Sequence, residues 1–192
     1  MNKLFVLRHI FILPLFFMQA AFAQPAVVVQ SGHSAGISAG VFSPDSSRIL
    51  TSSLDGTLRL WETATGREMN TFTGHKGAVL SVAYLPDGKH AVSGSTDGTA
   101  ILWNINTGQL VRSFVGHTDC VNQVAVSVDG RWLATAGSDG TVRVWGITNG
   151  QQIAILESRE NGASITSVAF SPNGEWIATG NSTGIFSSLN FA

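Results

Sequence analysis

The chain is 192 residues long, and its 11 Lys and Arg stand against 12 Asp and Glu, a formal net charge of −1. That balance lacks the basic excess through which proteins hold a phosphate backbone, so nucleic acid is not an expected partner. The single cysteine, Cys120, excludes an intramolecular disulfide, and 21 glycines with only 12% charged residues suit short strands joined by tight turns.

At the start of the chain, Lys3 and Arg8 lead into an apolar run from Ile10 to Met18, followed by Ala21-Phe22-Ala23 before Gln24. A basic start, a short apolar middle and small residues at alternate positions describe a signal peptide over 1–23, cut after Ala23. The expectation is an exported protein, periplasmic or extracellular. As a membrane anchor the apolar run is too short and is interrupted by Pro14, and no later segment is long and apolar enough to span a bilayer. A strand-like "AVVVQ" follows at 26–30.

From there the chain repeats itself with a step of 42 residues. Gly-His recurs at Gly32-His33, Gly74-His75 and Gly116-His117. Asp55, Asp97 and Asp139 keep the step, as do Trp61, Trp103 and Trp145. The units run approximately 31–72, 73–114, 115–156 and 157–192. The fourth begins clearly with "VAFSPNGEWIATG" at 168–180, displaced by 44, and then decays: Thr183 stands where Asp is due, Leu189 where Trp is due, and Glu160-Asn161 where Gly-His is due. Within the second unit, "AVLSVAYL" alternates up to the turn Pro86-Asp87-Gly88, "KHAVSGS" leads to Asp97-Gly98, "TAILWNI" to Thr107-Gly108, and "LVRSFVG" into the next Gly-His. Asp-Gly between β-rich runs marks a hairpin, because glycine accepts positive φ without steric cost. The fold class is therefore all-β, with four short antiparallel strands per unit. Bulk on both strand faces, such as Leu58 and Leu60 opposite Trp61, suggests small sheets stacked against neighbours on both sides.

The Gly-His, the Asp-Gly turn and the Trp, followed by Glu62 in the first unit, resemble the WD-repeat β-propeller family over about Val27 to Ile185. The likeness is not complete, since the residues after the three tryptophans are Glu62, Asn104 and Gly146. It implies propeller blades of four antiparallel strands, three good and a partial fourth. It also implies a hydrogen-bonded chain inside each blade: Asp55, His33, Thr51 and Trp61 in the first, Asp97, His75, Ser93 and Trp103 in the second, Asp139, His117, Thr135 and Trp145 in the third. The same His, hydroxyl and Asp are the residue types of acyl-transfer catalysis. A catalytic site is built once, however, and a set copied into every unit reads as a structural device, so the expectation is not an enzyme. A propeller hydrolase is the alternative, and it would need a group unique to one unit. Glu157, Arg159 and Glu160 form the one charged cluster without a counterpart.

No metal or cofactor is expected. The repeat histidines lie one per unit without a second ligand at metal-binding spacing, and "SGHSAGISAG" lacks the Lys-Ser/Thr ending of a phosphate loop. His90, after a turn, reads as solvent-exposed, and Cys120 as a small, partly buried side chain. The family likeness implies a scaffold for a protein or peptide, contacted on the face of the Gly-His loops and Asp-Gly turns. By position that face comprises Ser38, Leu54, Leu80, Thr96, Asn122 and Ser138, small and weakly charged. The likeness also implies that "AVVVQ" supplies the outer strand of the last blade, in rings that usually have seven or eight. Four units leave three readings open: a homodimer completing an eight-bladed ring, a truncated remnant of a longer propeller without independent activity, or an open arc held by a partner.

Overall fold

The computed structural model describes residues 32–157 and 162–190, which form strands and turns with no helix among them. The segments 1–23 and 26–30 and most of the Glu157–Glu160 cluster lie outside the described residues.

The strands form four antiparallel sheets in chain order, each a simple meander. Sheet 1 holds β1 (Ile37–Phe42), β2 (Arg48–Ser53), β3 (Leu58–Glu62) and β4 (Glu68–Phe72). Sheet 2 holds β5 (Val79–Tyr84), β6 (His90–Ser95), β7 (Thr99–Asn104) and β8 (Leu110–Val115). Sheet 3 holds β9 (Val121–Val126), β10 (Trp132–Gly137), β11 (Thr141–Gly146) and β12 (Gln152–Glu157). Sheet 4 has three strands among the described residues, β13 (Ile165–Phe170), β14 (Trp176–Asn181) and β15 (Phe186–Asn190). In sheets 1 to 3 the hairpins between the second and third strands turn on Asp-Gly, and Gly98 there has φ of +79°, a conformation that costs any residue with a Cβ.

Strand periodicity places the cores. In sheet 2, Ala91, Ile101 and Trp103 pack with Leu50, Leu58, Leu60 and Phe72 of sheet 1. Their immediate neighbours Val92, Ala100 and Leu102 point the other way and join Leu133 and Trp145 of sheet 3. Alternation along a strand thus feeds two separate cores, which is how a sheet becomes an inner layer of a stack. A third core joins Ala134, Ala136, Val142 and Val144 of sheet 3 to Ile165, Val168 and Ile177 of sheet 4. The first strands sit side by side, β1 next to β5, β5 next to β9 and β9 next to β13, so each blade's first strand is innermost.

Among the described residues the blades do not close into a ring. At one end Phe42 and Ile37 of β1 are 60% and 62% exposed, and at the other Phe186 of β15 is 69% exposed. No strand pairs with the outer edge of β15 among the described residues. An apolar end face and a bare strand edge are the features that closure removes in a complete propeller.

Candidate functional site

Each of the first three sheets contains one chain of side chains running from its third strand to its Asp-Gly turn. In sheet 2 the Trp103 indole N–H donates to Ser93 Oγ at 2.8 Å. Ser93 Oγ lies 2.7 Å from His75 Nε2, and His75 Nδ1 lies 3.0 Å from Asp97 Oδ2. Asp97 only accepts, so Nδ1 carries the ring proton. Burial lowers the His75 pKa, against the opposing pull of Asp97, so the ring stays neutral and Nε2 accepts from the serine hydroxyl. Donation therefore runs in one direction, from tryptophan to hydroxyl to imidazole to carboxylate. Sheet 1 repeats the geometry with Trp61 Nε1 to Thr51 Oγ1 at 2.8 Å, Thr51 to His33 Nε2 at 2.8 Å, and His33 Nδ1 to Asp55 Oδ2 at 3.0 Å. Sheet 3 does so with Trp145, Thr135, His117 and Asp139 at 3.0, 2.8 and 2.9 Å.

The aspartates are held by more than their histidines. Asp97 accepts from the Thr99 hydroxyl at 2.6 Å, the Thr99 amide at 2.9 Å and the Lys76 amide at 2.8 Å. Burial alone would raise its pKa, but these donors and His75 outweigh burial and hold it down at about 2. Asp55 is lowered in the same way with Thr57 and Ser34, and Asp139 with Thr141 and Thr118. Thr57, Thr99 and Thr141 are members that the sequence reading did not assign a role. The signal was available, since each follows its Asp-Gly at the same 42-residue step.

One position explains a difference between blades. Ser53 and Ser95 each accept the amide N–H of the turn aspartate on their hydroxyl, at 3.1 Å. Sheet 3 has Gly137 there, where a Cβ would sit 2.3 Å from His117 Nδ1 and 2.5 Å from Asp139 Oδ1. Into that space the Asp139 carboxylate turns both oxygens toward His117 Nδ1, at 3.0 and 2.9 Å.

The sets of sheets 2 and 3 have the residue types of a catalytic triad but not its access. Ser93 and Thr135 are fully buried, and each hydroxyl is engaged by both an indole and an imidazole. An acyl group has no approach to either oxygen. Among the described residues, no three His, Cys, Asp or Glu side chains gather as a metal site. His90 is not the exposed side chain that its turn suggested. It is half-buried, because the turn folds its Nδ1 back to 2.7 Å from Asp87 Oδ2. Cys120 is partly buried.

In sheet 4 the pattern has gone. Leu189 stands opposite Ile177 as Trp145 stands opposite Leu133. Thr179 occupies the place of Thr135, and its hydroxyl donates to Ser187 O at 3.5 Å. Asn181 organises the last turn instead of an aspartate, its Oδ1 accepting from the amides of Thr183 and Ile185 at 3.1 and 2.8 Å.

The six positions named for the contact face divide into two kinds. Asn122 Nδ2 donates to Ser138 Oγ at 2.9 Å and to Ile165 O at 2.8 Å, so Asn122 and Ser138 tie sheet 3 to sheet 4. Ser38 Oγ donates to Val79 O at 2.5 Å and ties sheet 1 to sheet 2. Leu54 and Thr96 are exposed and Leu80 is half-buried. Leu54 borders a shallow groove of about 410 Å³ between sheets 1 and 2, also lined by Thr73, Lys76 and Ala78.

The family described as WD domain, G-beta repeat matches residues 25–62, 66–104, 108–146 and 150–185. The first three matched units end with the third strand of a sheet, and the fourth ends just before β15. The unit 66–104 thus contributes β4 to sheet 1 and β5 to β7 to sheet 2, and its neighbours are clasped by that offset. No curated protein matches the chain. With four matched repeats across most of its length and three blades built on one recurring polar chain, the protein belongs to the WD-repeat family.

Proposed function

We propose that this WD-repeat protein is a non-catalytic scaffold for a protein or peptide, held on the face where the Gly-His loops and Asp-Gly turns meet. The observation that carries this reading is the contrast between the two kinds of polar group. The repeated histidines, hydroxyls and aspartates are engaged with one another inside the blades, while Leu54 and Thr96 are exposed and a groove beside Lys76 opens outward. A small, partly apolar strip with one lysine favours a neutral or mildly acidic peptide over a phosphorylated or strongly basic one. Export is part of the same proposal and rests on the composition of residues 1–23.

The test is selection of displayed peptides on the purified protein, followed by binding measurements with Leu54→Arg and Thr96→Arg. Retained near-ultraviolet circular dichroism from the buried tryptophans would show the blades intact. Loss of binding in those variants supports the reading, and peptides that bind all variants equally refute it. Mass spectrometry of secreted material tests export, since the mature chain should begin at Gln24.

A second copy of the chain is the partner proposed for the open ends. The 42-residue step puts residues 26–30 in phase with β4, an outer strand, and the bare edge of β15 is where an outer strand of sheet 4 would add. Two copies exchanging these elements would give eight sheets.

A further inference from the structure

Between sheets 3 and 4 lies a cavity of about 270 Å³ whose walls include Val142, Leu156, Ile165 and Ile177. These walls match, position by position, the groups that enclose an indole one blade earlier. Trp145 packs in one cluster with Ala100, Phe114, Val121 and Leu133, its ring centroid 5.8 Å from that of Phe114. Its N–H donates to Thr135. The repeat replaces Ala100 by Val142, Phe114 by Leu156, Val121 by Ile165, Leu133 by Ile177 and Thr135 by Thr179. In the place of the indole itself stands Leu189, smaller and 41% exposed. The polar anchor survives the loss. Thr179 lines the cavity and donates its own proton to Ser187 O, so its oxygen keeps a lone pair able to accept, as that of Thr135 does from Trp145.

We propose that this cavity binds a small planar aromatic molecule of the indole class, its ring between the aliphatic walls of sheets 3 and 4 and its N–H donating to Thr179 Oγ1. Benzene occupies an apolar cavity of roughly 150 Å³, so the space here has room for a fused ring, although it opens partly to solvent and Asn181, Ser187 and Ser188 also line it. Glu157 at the wall disfavours ring systems that carry a carboxylate. This site is separate from the peptide face and does not depend on it.

The test is titration of the purified protein with indole, indene and indole-3-acetate, read by calorimetry and by methyl NMR. Indole should shift the methyls of Ile165, Ile177 and Leu189 and leave those of Leu50 and Leu60 unmoved. Indene, the same shape without the N–H, should bind roughly fivefold to tenfold more weakly, and Thr179→Val should remove that difference. Indole-3-acetate should bind more weakly than indole. Leu189→Trp should fill the space, abolish binding and raise the melting temperature. No methyl shift with millimolar indole on the wild-type protein would overturn the proposal, whatever the fate of the variants. So would equal affinity for indole and indene, or undiminished binding to folded Leu189→Trp.

Discussion

Trp103 and Ser93 are both buried, and the indole N–H of one donates to the hydroxyl of the other at 2.8 Å. Neither group can turn to water if the other is removed. Ser93→Ala leaves the Trp103 N–H and His75 Nε2 unpartnered in a closed interior, and each such orphan costs about 1–3 kcal/mol. With two orphans the expected outcome is a loss of about 2–6 kcal/mol by urea unfolding. Thr179→Ala, at the same position in sheet 4, should cost well under this, because no indole or imidazole rests on that hydroxyl. Equal losses at the two sites would show that the polar chain contributes nothing of its own.

Stability should fall toward acid in two stages. Burial holds the His75 and His117 pKa values below the ordinary 6.5, so the folded protein binds fewer protons than the unfolded chain once the pH drops under that value. The stabilisation is complete above about pH 6.5 and is lost progressively below it. The second stage comes from Asp55, Asp97 and Asp139, all lowered from 3.8. Their contribution is present above that value and disappears as the pH falls through the folded pKa, about 2 for Asp97. The urea midpoint followed from pH 8 to pH 3 should therefore decline from near 6.5 and steepen under 4. A midpoint that stays level down to pH 5 would mean that these histidines titrate in the fold as they do in the unfolded chain.

Much of this was legible in the residues because the repeat writes it three times. A lone Gly-His or Asp-Gly is weak, but His75, Ser93, Asp97 and Trp103 recur at one step, and the step is what identified the blade. The Asp-Gly turns likewise fixed the hairpins, since positive φ at Gly98 is a local demand with a local signal. What was not legible depends on contacts across sheets. Asn122 bonds Ser138 within its own unit, but its amide also spans to Ile165 in the next sheet, which only the packing of the sheets reveals. The return of His90 to Asp87 hinges on how tightly one turn folds. The cavity at Leu189 shows only when the wall that faces it is known, and that wall comes from β11 and β12 of the preceding blade.

Gly94 reports on the spacing between blades. A Cβ there would lie 2.7 Å from a Val121 methyl, 3.0 Å from one of Val124 and 3.2 Å from the Val121 carbonyl oxygen. The methyls could rotate, but the carbonyl belongs to the innermost strand of sheet 3 and moves only with the sheet. Gly94→Ala should destabilise by about 1–3 kcal/mol, the usual range for overpacking. Gly162→Ala meets nothing within 4 Å, although its positive φ still disfavours a side chain. A Gly94→Ala protein as stable as the parent would mean that sheets 2 and 3 slide freely.

The exposed ends decide the assembly. Phe186 lies 69% exposed on a strand with no partner on its outer edge among the described residues, and Phe42 lies 60% exposed at the other end. Self-association through these ends predicts a mass of two chains by light scattering, falling to one in Phe42→Lys with Phe186→Lys. Both side chains are largely in solvent already, so the double variant should unfold at nearly the parent's temperature. This separates assembly from folding. A parent protein that runs as a monodisperse single chain across micromolar concentrations would leave the ends without the second copy, and the arc would then be the working form.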